Sequence, residues 1–293
     1  MKTCYLYSLV VPVLEEFRDN RSIPALAAIP VKLKEGREWE AAILGDETTI
    51  RATRISIPNV SNEKIDPQDF SRALRLRSYL LDCIRLVYDT DAEYFRRGEA
   101  IFAMWNFLEP EKGPDFAINV TEPLNSDYRV NLEGLKQLIA VVPKMRPIVH
   151  LIADGANCRL PMQFRFLSYY KIIEMHYRVT SNNKFNQFIS AFVPEFKAVY
   201  PDISNVSQLC RRLSALRNRC AHIKLITGEL GFSHLEAETD ELLKAMPIIT
   251  RVVSHCIRVN YPDSPLRIAA TPEEGAAQFA EMEAAGLKPV RVF

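Results

Sequence analysis

Residues 206–223 read VSQLCRRLSALRNRCAHI, and this stretch decides the fold of the C-terminal half of the chain. Apolar residues recur there at steps of three and four, which is the spacing of one face of an amphipathic α-helix. The apolar stripe consists of Val206, Leu209, Leu213, Leu216, Cys220 and Ile223. Asn205 followed by Gln208 resembles a capping box at the start, and Gly228 is expected to end the helix.

The polar side of this predicted helix carries basic residues and one histidine. Residues 203–228 include five Lys or Arg and no Asp or Glu. At about 100° per residue, Arg211, Asn218 and His222 fall opposite the apolar stripe, and Arg217 falls on its shoulder. Such a local positive field suits chemistry on a phosphodiester, because His transfers protons near neutral pH and Arg holds phosphate with a planar fork of donors.

The motif Arg217-Asn218-x-x-x-His222 on such a helix resembles the signature of the HEPN superfamily. The upstream segment 166–177, FLSYYKIIEMHY, is similar to the first helix of many such domains, and the resemblance covers residues 160–261. It implies a four-helix bundle and, in catalytic members, metal-independent RNA cleavage at a dimer cleft. By this resemblance Arg217 and His222 are the catalytic pair and Asn218 is the supporting polar group. Some members of the superfamily are catalytically silent binding or assembly modules.

The expected mechanism uses the 2′-hydroxyl of RNA as the nucleophile. His222 suits the proton transfers, and Arg217 would neutralise the charge that grows on the phosphoryl oxygens. The expected product is a cyclic 2′,3′-phosphate, formed without a metal or another cofactor. Arg217 and His222 lie about 140° apart on an ideal helix, so joint use requires a second helix or a second copy facing them. The alternative is that His222 lies at the bundle surface and Arg217 pairs with a carboxylate.

Glu174 falls within the apolar stripe that is predicted for the upstream helix. That stripe consists of Leu167, Tyr170, Glu174 and Tyr177. A buried carboxylate must be paired, hydrogen-bonded or protonated. One interpretation places Glu174 against Arg217 or His222, where it supports their orientation. The other interpretation is a structural salt bridge between helices or a hydrogen bond to a tyrosine hydroxyl.

Arg211, Arg212 and Arg219 are the expected RNA contacts beside the catalytic pair. Their charge is local, because the chain as a whole has a formal net charge of +1. That balance favours an enzyme or a transient RNA contact over a protein that coats nucleic acid. No metal site is expected, since His255 and Cys256 are adjacent without a second ligand pair at zinc-like spacing. The sequence also has no glycine-rich phosphate-binding loop.

The composition predicts a cytoplasmic protein without a membrane association. Six cysteines at irregular intervals favour reduced thiols over a disulfide framework. No apolar run reaches the roughly 18 residues that a transmembrane helix needs. Residues 4–14 imitate the core of a signal peptide, but Glu15 and Glu16 follow without a small-residue cleavage site. This segment is expected to be a buried first strand.

The pattern along the chain predicts an α+β fold, with a β-rich N-terminal domain and flanking helices before a HEPN-like four-helix bundle. The expected domains are 1–130 with helices at about 66–108, the bundle at 131–262, and a tail with a short helix at 263–293. The expected strands are 5–13, 25–33, 39–44 and 48–57, with a short one at 116–120. The N-terminal helices are expected at about 70–87 and 92–108.

The bundle is expected to use four helices. These are 164–179, a helix within 185–200 interrupted at Pro194, the motif helix, and 239–259, which Pro247 should kink or begin. The buried face of the last helix is expected to be Leu243, Met246, Ile249, Val253 and Cys256. The tail helix is expected to begin at Pro272 with Thr271 as its N-cap.

Two functions of different classes follow from these residues. The first is a metal-independent RNA endonuclease of HEPN type, acting as a homodimer, as a toxin or defence effector. Its N-terminal domain would then sense a signal or bind a protein partner. The alternative is a non-catalytic HEPN-like binding or accessory module in a metabolic or regulatory complex, for example in bacterial amine utilisation. A groove that leaves Arg217 and His222 open favours the first function, and a sealed one favours the second.

Overall fold

The structure is a computed structural model that divides the chain into two compact units. The first unit comprises residues 1–146 and 281–290, and the second comprises 147–280 and 291–293. The described residues are 1–9, 17–19, 25–32, 38–46, 50–61, 64–87, 103–108, 116–118, 131–140, 145–157, 160–178, 182–221, 236–264, 266, 268–269 and 271–287. Strands lie in the first unit and most helices in the second, so the fold is α+β.

A five-stranded antiparallel sheet forms the centre of the first unit, with the strand order β3-β4-β5-β1-β6. Its strands are β1 (Lys2–Leu9), β3 (Ala25–Lys32), β4 (Glu38–Gly45), β5 (Ile50–Val60) and β6 (Ala103–Leu108). A separate pair joins β2 (Phe17–Asp19) to β7 (Phe116–Ile118). Residues 3–8 of β1 are all buried, so both faces of that strand are covered.

Two helices pack with this sheet in the first unit. Helix α1 (Pro67–Val87) contacts β4 and β5, and α2 (Leu132–Ile139) contacts α1 and β3. Asp66 caps α1, because its side chain accepts hydrogen bonds from the backbone N–H groups of Gln68 and Asp69. The Tyr79 hydroxyl donates a hydrogen bond to the backbone oxygen of Leu138 and so ties α1 to α2.

Two predictions differ from the structure of this unit. The helix predicted at 92–108 is wrong over residues 103–108, which form the edge strand β6 and pair with β1 from Ser8↔Ala103 to Thr3↔Leu108. A short apolar run fits either period, and here the neighbouring strand decides. Residues 92–102 lie outside the described part of the chain. The predicted boundary at 130/131 also differs, because the division falls after Arg146 and leaves α2 in the first unit.

The second unit is built from helices. They are α3 (Arg146–Ala156), α4 (Met162–Ile173), a π-helical turn (Glu174–Arg178), α5 (Asn182–Ser190), α6 (Val193–Val199), α7 (Val206–Ala221), α8 (Glu236–Asn260) and α9 (Pro272–Ala284). Arg146, at the start of α3, and residues 281–284, at the end of α9, are assigned to the first unit. Helix α4 packs against α7 and α8, α5 packs against the π turn and α7, and α6 packs against α7 and α8. The helix predicted within 185–200 is therefore two helices, α5 and α6, divided before Pro194.

Details of the long helix α8 refine its prediction. Met246, Ile249, Val253 and Cys256 are buried as expected, but Leu243 is 50% exposed and its neighbour Leu242 is buried instead. Both positions fit helical spacing with Met246, and only packing distinguishes them. Pro247 lies inside the helix, well past its start at Glu236, so it does not mark the first turn.

The tail helix follows the sequence prediction. Thr271 caps α9, since the Glu274 N–H donates to its hydroxyl at 3.1 Å. Within the part of the chain that is described, the free thiols are Cys4, Cys83, Cys210, Cys220 and Cys256. No helix among the described residues combines the length and apolar character needed to cross a bilayer.

Candidate functional site

The motif helix α7 begins where its sequence indicated. The Gln208 N–H donates to the Asn205 side chain at 3.0 Å, which is an N-cap. The Gln208 side chain does not complete a capping box with Asn205, because it accepts from the N–H and the hydroxyl of Ser204, both at 2.7 Å. Leu209, Leu213 and Leu216 are buried. Predictions for His222, Ile223 and Gly228 fall outside the described residues.

Arg217 lies at a partly open surface beside Glu174. The Arg217 Nε atom is 3.9 Å from Glu174 Oε1, and the two side chains are 33% and 25% exposed. An Arg217 Nη1 atom donates to Asn218 Oδ1 at 3.3 Å. The pair is at the long end of an ion-pair distance and in contact with solvent, so it orients the guanidinium without enclosing it. The sequence analysis placed Glu174 against Arg217 or His222, and in the structure Glu174 lies beside Arg217.

Glu174 is the first residue of the π-helical turn that follows α4, and this turn positions it beside Arg217. Helix α4 buries Phe166, Tyr169, Tyr170 and Ile173, and the wider turn that follows changes the angular position of the next residues. Such turns are found frequently at functional sites. The prediction that Leu167 and Tyr177 share a buried stripe with Tyr170 is wrong, because both are only half-buried. The periodicity argument assumed 3.6 residues per turn throughout and could not anticipate the wider turn.

A second carboxylate engages two of the three arginines that were predicted to contact RNA. Glu241 Oε2 is 2.7 Å from Arg219 Nη1, and Glu241 Oε1 is 3.2 Å from Arg212 Nε. Arg212 and Arg219 are seven residues apart, about two helical turns, so they share one side of α7. Arg211 points away from that side and is exposed, as is Asn218. Of the three predicted RNA contacts, Arg211 is therefore the one that lies apart from Glu241.

Tyr200 completes this second cluster, which we call the Glu241 cluster and which consists of Tyr200, Arg212, Arg219 and Glu241. The Arg212 guanidinium lies 4.6 Å from the centre of the Tyr200 ring, a cation–π contact. The Tyr200 hydroxyl donates to the backbone oxygen of Glu241 at 2.7 Å. Burial, reinforced by the negative charge of Glu241, raises the pKa of Tyr200 to about 12. Sequence reasoning missed Glu241 and Tyr200, and the seven-residue spacing of the two arginines was the signal that pointed to a shared partner.

A cluster of rings lies on the far side of the π turn, and we call it the ring cluster. It consists of His176, Tyr177, Phe188, Phe192, His255 and Tyr261. Phe188 stacks on Tyr177 with ring centres 4.0 Å apart and on His255 with ring centres 5.6 Å apart. The sequence offered His176 and His255 no partner, because these contacts join separate helices.

Burial in the ring cluster shifts the pKa of His176 and the pKa of Tyr177. Burial lowers the pKa of His176 and raises the pKa of Tyr177. The Asn260 amide donates to the Tyr177 hydroxyl at 2.9 Å, which favours the charged form and partly offsets the effect of burial. The same amide donates to the backbone oxygen of Cys256 at 2.9 Å. The Tyr177 ring is therefore held in a fixed orientation at the end of α8.

Neither a metal centre nor a relative identifies the site. Among the residues that the structure describes, no group of three or more His, Cys, Asp or Glu side chains is placed to hold a metal ion. A comparison with protein-family models finds no match, and comparisons with curated proteins and with solved structures find none either. The class of the protein therefore rests on the motif, the helices and the geometry of Arg217, Asn218 and Glu174.

Proposed function

We propose that the protein is a metal-independent RNA endonuclease of HEPN type. The observation that carries this proposal is the long pair of Arg217 with Glu174, in which Nε and Oε1 are 3.9 Å apart and the Arg217 side chain is 33% exposed. A partly exposed guanidinium can offer two parallel N–H donors to phosphoryl oxygens. Asn218 adds an exposed amide next to it. An arginine sealed by its carboxylate would have favoured a purely structural role.

The proposed reaction is an in-line transfer within the RNA strand. The 2′-oxygen attacks the adjacent phosphorus, the bond to the 5′-oxygen breaks, and the products are a 2′,3′-cyclic phosphate and a 5′-hydroxyl. His222 takes part in moving the proton from the 2′-hydroxyl towards the leaving oxygen. Arg217 stabilises the charge that develops on the non-bridging oxygens. Every proton that leaves the 2′-hydroxyl is matched by one on the 5′-oxygen, so no co-reactant is needed.

Glu174 and Asn218 are positioning residues in this proposal. Glu174 holds Arg217 from one side, which restricts the rotamers of a long side chain before substrate arrives. Asn218 lies one residue further and accepts a hydrogen bond from Arg217. Because Arg217 and His222 diverge by about 140° on an ideal helix, a second copy of the chain would bring an Arg and a His into one cleft. The proposal therefore includes a homodimer.

A second function is favoured by the Glu241 cluster. Two of the three arginines predicted to contact RNA, Arg212 and Arg219, form ion pairs with Glu241 within the protein. A reduced positive field suits a non-catalytic module that presents Arg217 and Asn218 to a protein or small-molecule partner in a metabolic or regulatory complex. The first proposal, the endonuclease, also includes a cytoplasmic location and a role as toxin or defence effector. In that proposal the N-terminal unit binds a protein partner.

The deciding experiment is cleavage of end-labelled transfer RNA and messenger RNA in the presence of a chelator. Wild type, Arg217→Ala and His222→Ala are compared, with Arg258→Ala as a matched control because Arg258 is also surface-exposed and ion-paired, on α8. We expect wild type and the control to cleave, and Arg217→Ala to lose about 100-fold or more. Mass spectrometry of the fragments should show the cyclic phosphate.

The same experiment separates the two functions. The far-UV circular dichroism of each variant must match wild type before its activity is compared. Activity that disappears with chelator contradicts the metal-independent mechanism. Activity that survives both substitutions contradicts the site. The absence of cleavage from wild type and all variants favours the non-catalytic module.

A further inference from the structure

Helix α5 presents a surface without acidic residues next to the motif helix. Residues 175–194 contain no Asp or Glu, like residues 203–228. The two stretches meet where the Cys210 thiol donates to Asn186 Oδ1 at 3.2 Å. Exposed amides at Asn183, Asn186 and Gln187 therefore lie beside the segment that carries the exposed Arg211. A surface that lacks negative charge and offers amides and a guanidinium is complementary to a phosphodiester strand.

This surface leads to the ring cluster through Phe188, which belongs to α5. Tyr177, Phe188 and His255 are nearly parallel, with interplanar angles of 13° and 18° between successive rings. Phe192 contacts the His255 ring at 67° and fixes it from the side. His255 itself is exposed, so the stack ends in a flat ring that reaches solvent. A flat ring held in place is the element on which proteins stack the bases of single-stranded nucleic acids.

Exposed apolar side chains flank the same place. Met175 is 41% exposed and precedes His176 in the π turn, and Val259 is 55% exposed one turn after His255 on α8. Exposed large apolar residues grouped around partly buried rings indicate a surface that another molecule covers. The π turn links this surface to the catalytic proposal, because it carries Glu174 at one end and Tyr177 towards the other.

We infer that the ring cluster, with His255 at its exposed end, is a stacking platform for a base of single-stranded RNA whose backbone follows α5 and Arg211. The inference rests on the proposed function and adds to it the form of the substrate. A base pair inside a duplex cannot stack on a protein ring, so the platform selects unpaired segments such as loops and ends. The amides of α5 provide contacts to ribose and phosphate that carry no sequence information.

RNA fits this surface better than a second copy of the chain. Helix α5 exposes Asn183, Asn186 and Gln187 beside the rings, and such amides commonly bind phosphate and sugar groups of nucleic acids. Residues 175–194 and 203–228 contain no Asp or Glu, so neither segment of a second copy would offer a carboxylate to Arg211. A polyanion that carries flat bases matches both properties.

The test is binding of a short, fluorescein-labelled single-stranded RNA with 2′-O-methyl groups, followed by anisotropy at one low salt concentration. The 2′-O-methyl group removes the nucleophile, so binding is measured without cleavage. We expect His255→Ala to weaken binding about tenfold or more, the usual effect of removing one stacked ring. His255→Trp should restore the affinity, and Leu243→Ala, which removes another exposed apolar side chain of α8, should leave it unchanged.

An abasic strand with the same backbone completes the test. It should bind more weakly than the RNA, and His255→Ala should not change its affinity. Equal binding of RNA by wild type and His255→Ala overturns the platform, and so does a failure of His255→Trp to restore the affinity. If wild type self-associates and His255→Ala abolishes this, the surface is an interface between copies and the inference is wrong.

The proposed function and this inference fail in different ways. RNA cleavage that is insensitive to His255→Ala leaves the endonuclease in place and removes the platform. Binding that depends on His255 without any cleavage keeps the platform and assigns it to an RNA-binding module. Neither binding nor cleavage contradicts both.

Discussion

The motif helix α7 meets two carboxylates, and they hold its arginines in different ways. Glu241 is 16% exposed and contacts Arg219 and Arg212 at 2.7 and 3.2 Å. Glu174 is 25% exposed and lies 3.9 Å from Arg217. The first arrangement joins α7 to α8 and α6 through charge, ring and backbone contacts. The second is a longer pair, in which the Arg217 side chain is 33% exposed.

This difference shows why residue type alone does not define a site. All three arginines lie on one helix within two turns, and each has a carboxylate. A close, shielded pair is a structural contact whose removal leaves charges without compensation. A longer pair in contact with water contributes little to stability and can exchange its partner. Variants of these residues can test whether the Glu241 cluster supports stability and the Arg217–Glu174 pair supports activity.

The largest expected difference is in catalysis, between Arg217→Lys and Arg212→Lys. Lysine keeps the charge but loses the planar fork of donors. Arg217→Lys should reduce RNA cleavage about 100-fold, in the range seen when one transition-state donor is removed. Arg212→Lys should leave cleavage within about threefold of wild type, because Arg212 holds Glu241. Single-turnover cleavage with chelator present measures both, and equal losses would contradict the division.

The next effect is on stability, through Glu241→Ala. This variant leaves Arg212 and Arg219 partly buried without their carboxylate, which should lower the free energy of unfolding by about 2 kcal/mol. Urea unfolding should be followed by circular dichroism at the helix signal. Both tryptophans, Trp39 and Trp105, belong to the first unit, so their fluorescence follows the unfolding of that unit and is recorded in parallel.

Tyr200→Phe should show a smaller effect that depends on pH. At neutral pH the lost hydrogen bond to Glu241 should cost about 1 kcal/mol. The pKa of Tyr200 is raised to about 12 from its usual 10, so the folded state holds this proton more tightly than the unfolded state. The stability that this difference provides is complete below pH 10 and is lost as pH rises towards 12.

The deficit of Tyr200→Phe relative to wild type should therefore shrink between pH 10 and 12, where wild type loses the contribution of this group. Urea unfolding of wild type and Tyr200→Phe at neutral pH and at pH 11 measures how their difference in free energy of unfolding changes with pH. A constant deficit across this range would show that the hydroxyl ionises with the same pKa in the folded and unfolded states.

The smallest expected effect on stability belongs to Glu174→Gln. The exposed ion pair should contribute no more than about 0.5 kcal/mol. Cleavage should still fall, though by less than with Arg217→Lys, because Arg217 loses the group that orients it. Thermal unfolding and cleavage are measured on the same preparation. A large loss of stability with unchanged cleavage would make Glu174 a structural residue like Glu241.

Sequence reasoning anticipated the elements better than their contacts. The strands at Ala25–Lys32 and Glu38–Gly45 and the helices α1, α7 and α8 follow local periodicity and capping, as at Asn205. The strand β6 was mistaken for a helix because its period depends on the neighbour it pairs with. Leu243 was placed in the core for a similar reason, since Leu242 fits the same spacing.

The candidate site was predictable in part. Arg217, Asn218 and Glu174 were selected from the motif and from a carboxylate within an apolar pattern, and the structure brings them together. Arg212 and Arg219 could not be distinguished from Arg217, because Glu241 lies on a different helix, 22 residues after Arg219. The π turn at Glu174–Arg178 was also not predictable, because the periodicity argument assumed 3.6 residues per turn throughout.

The sequence by itself determined that the C-terminal half forms amphipathic helices and that one of them carries Arg217, Asn218 and His222. It could do so because helical periodicity and N-caps depend on residues within one or two turns. Only the tertiary structure decided which arginines meet Glu241 and which meets Glu174, and that His176, Phe188 and His255 share one cluster. Those contacts join residues that are far apart in the chain, so chain packing determines them.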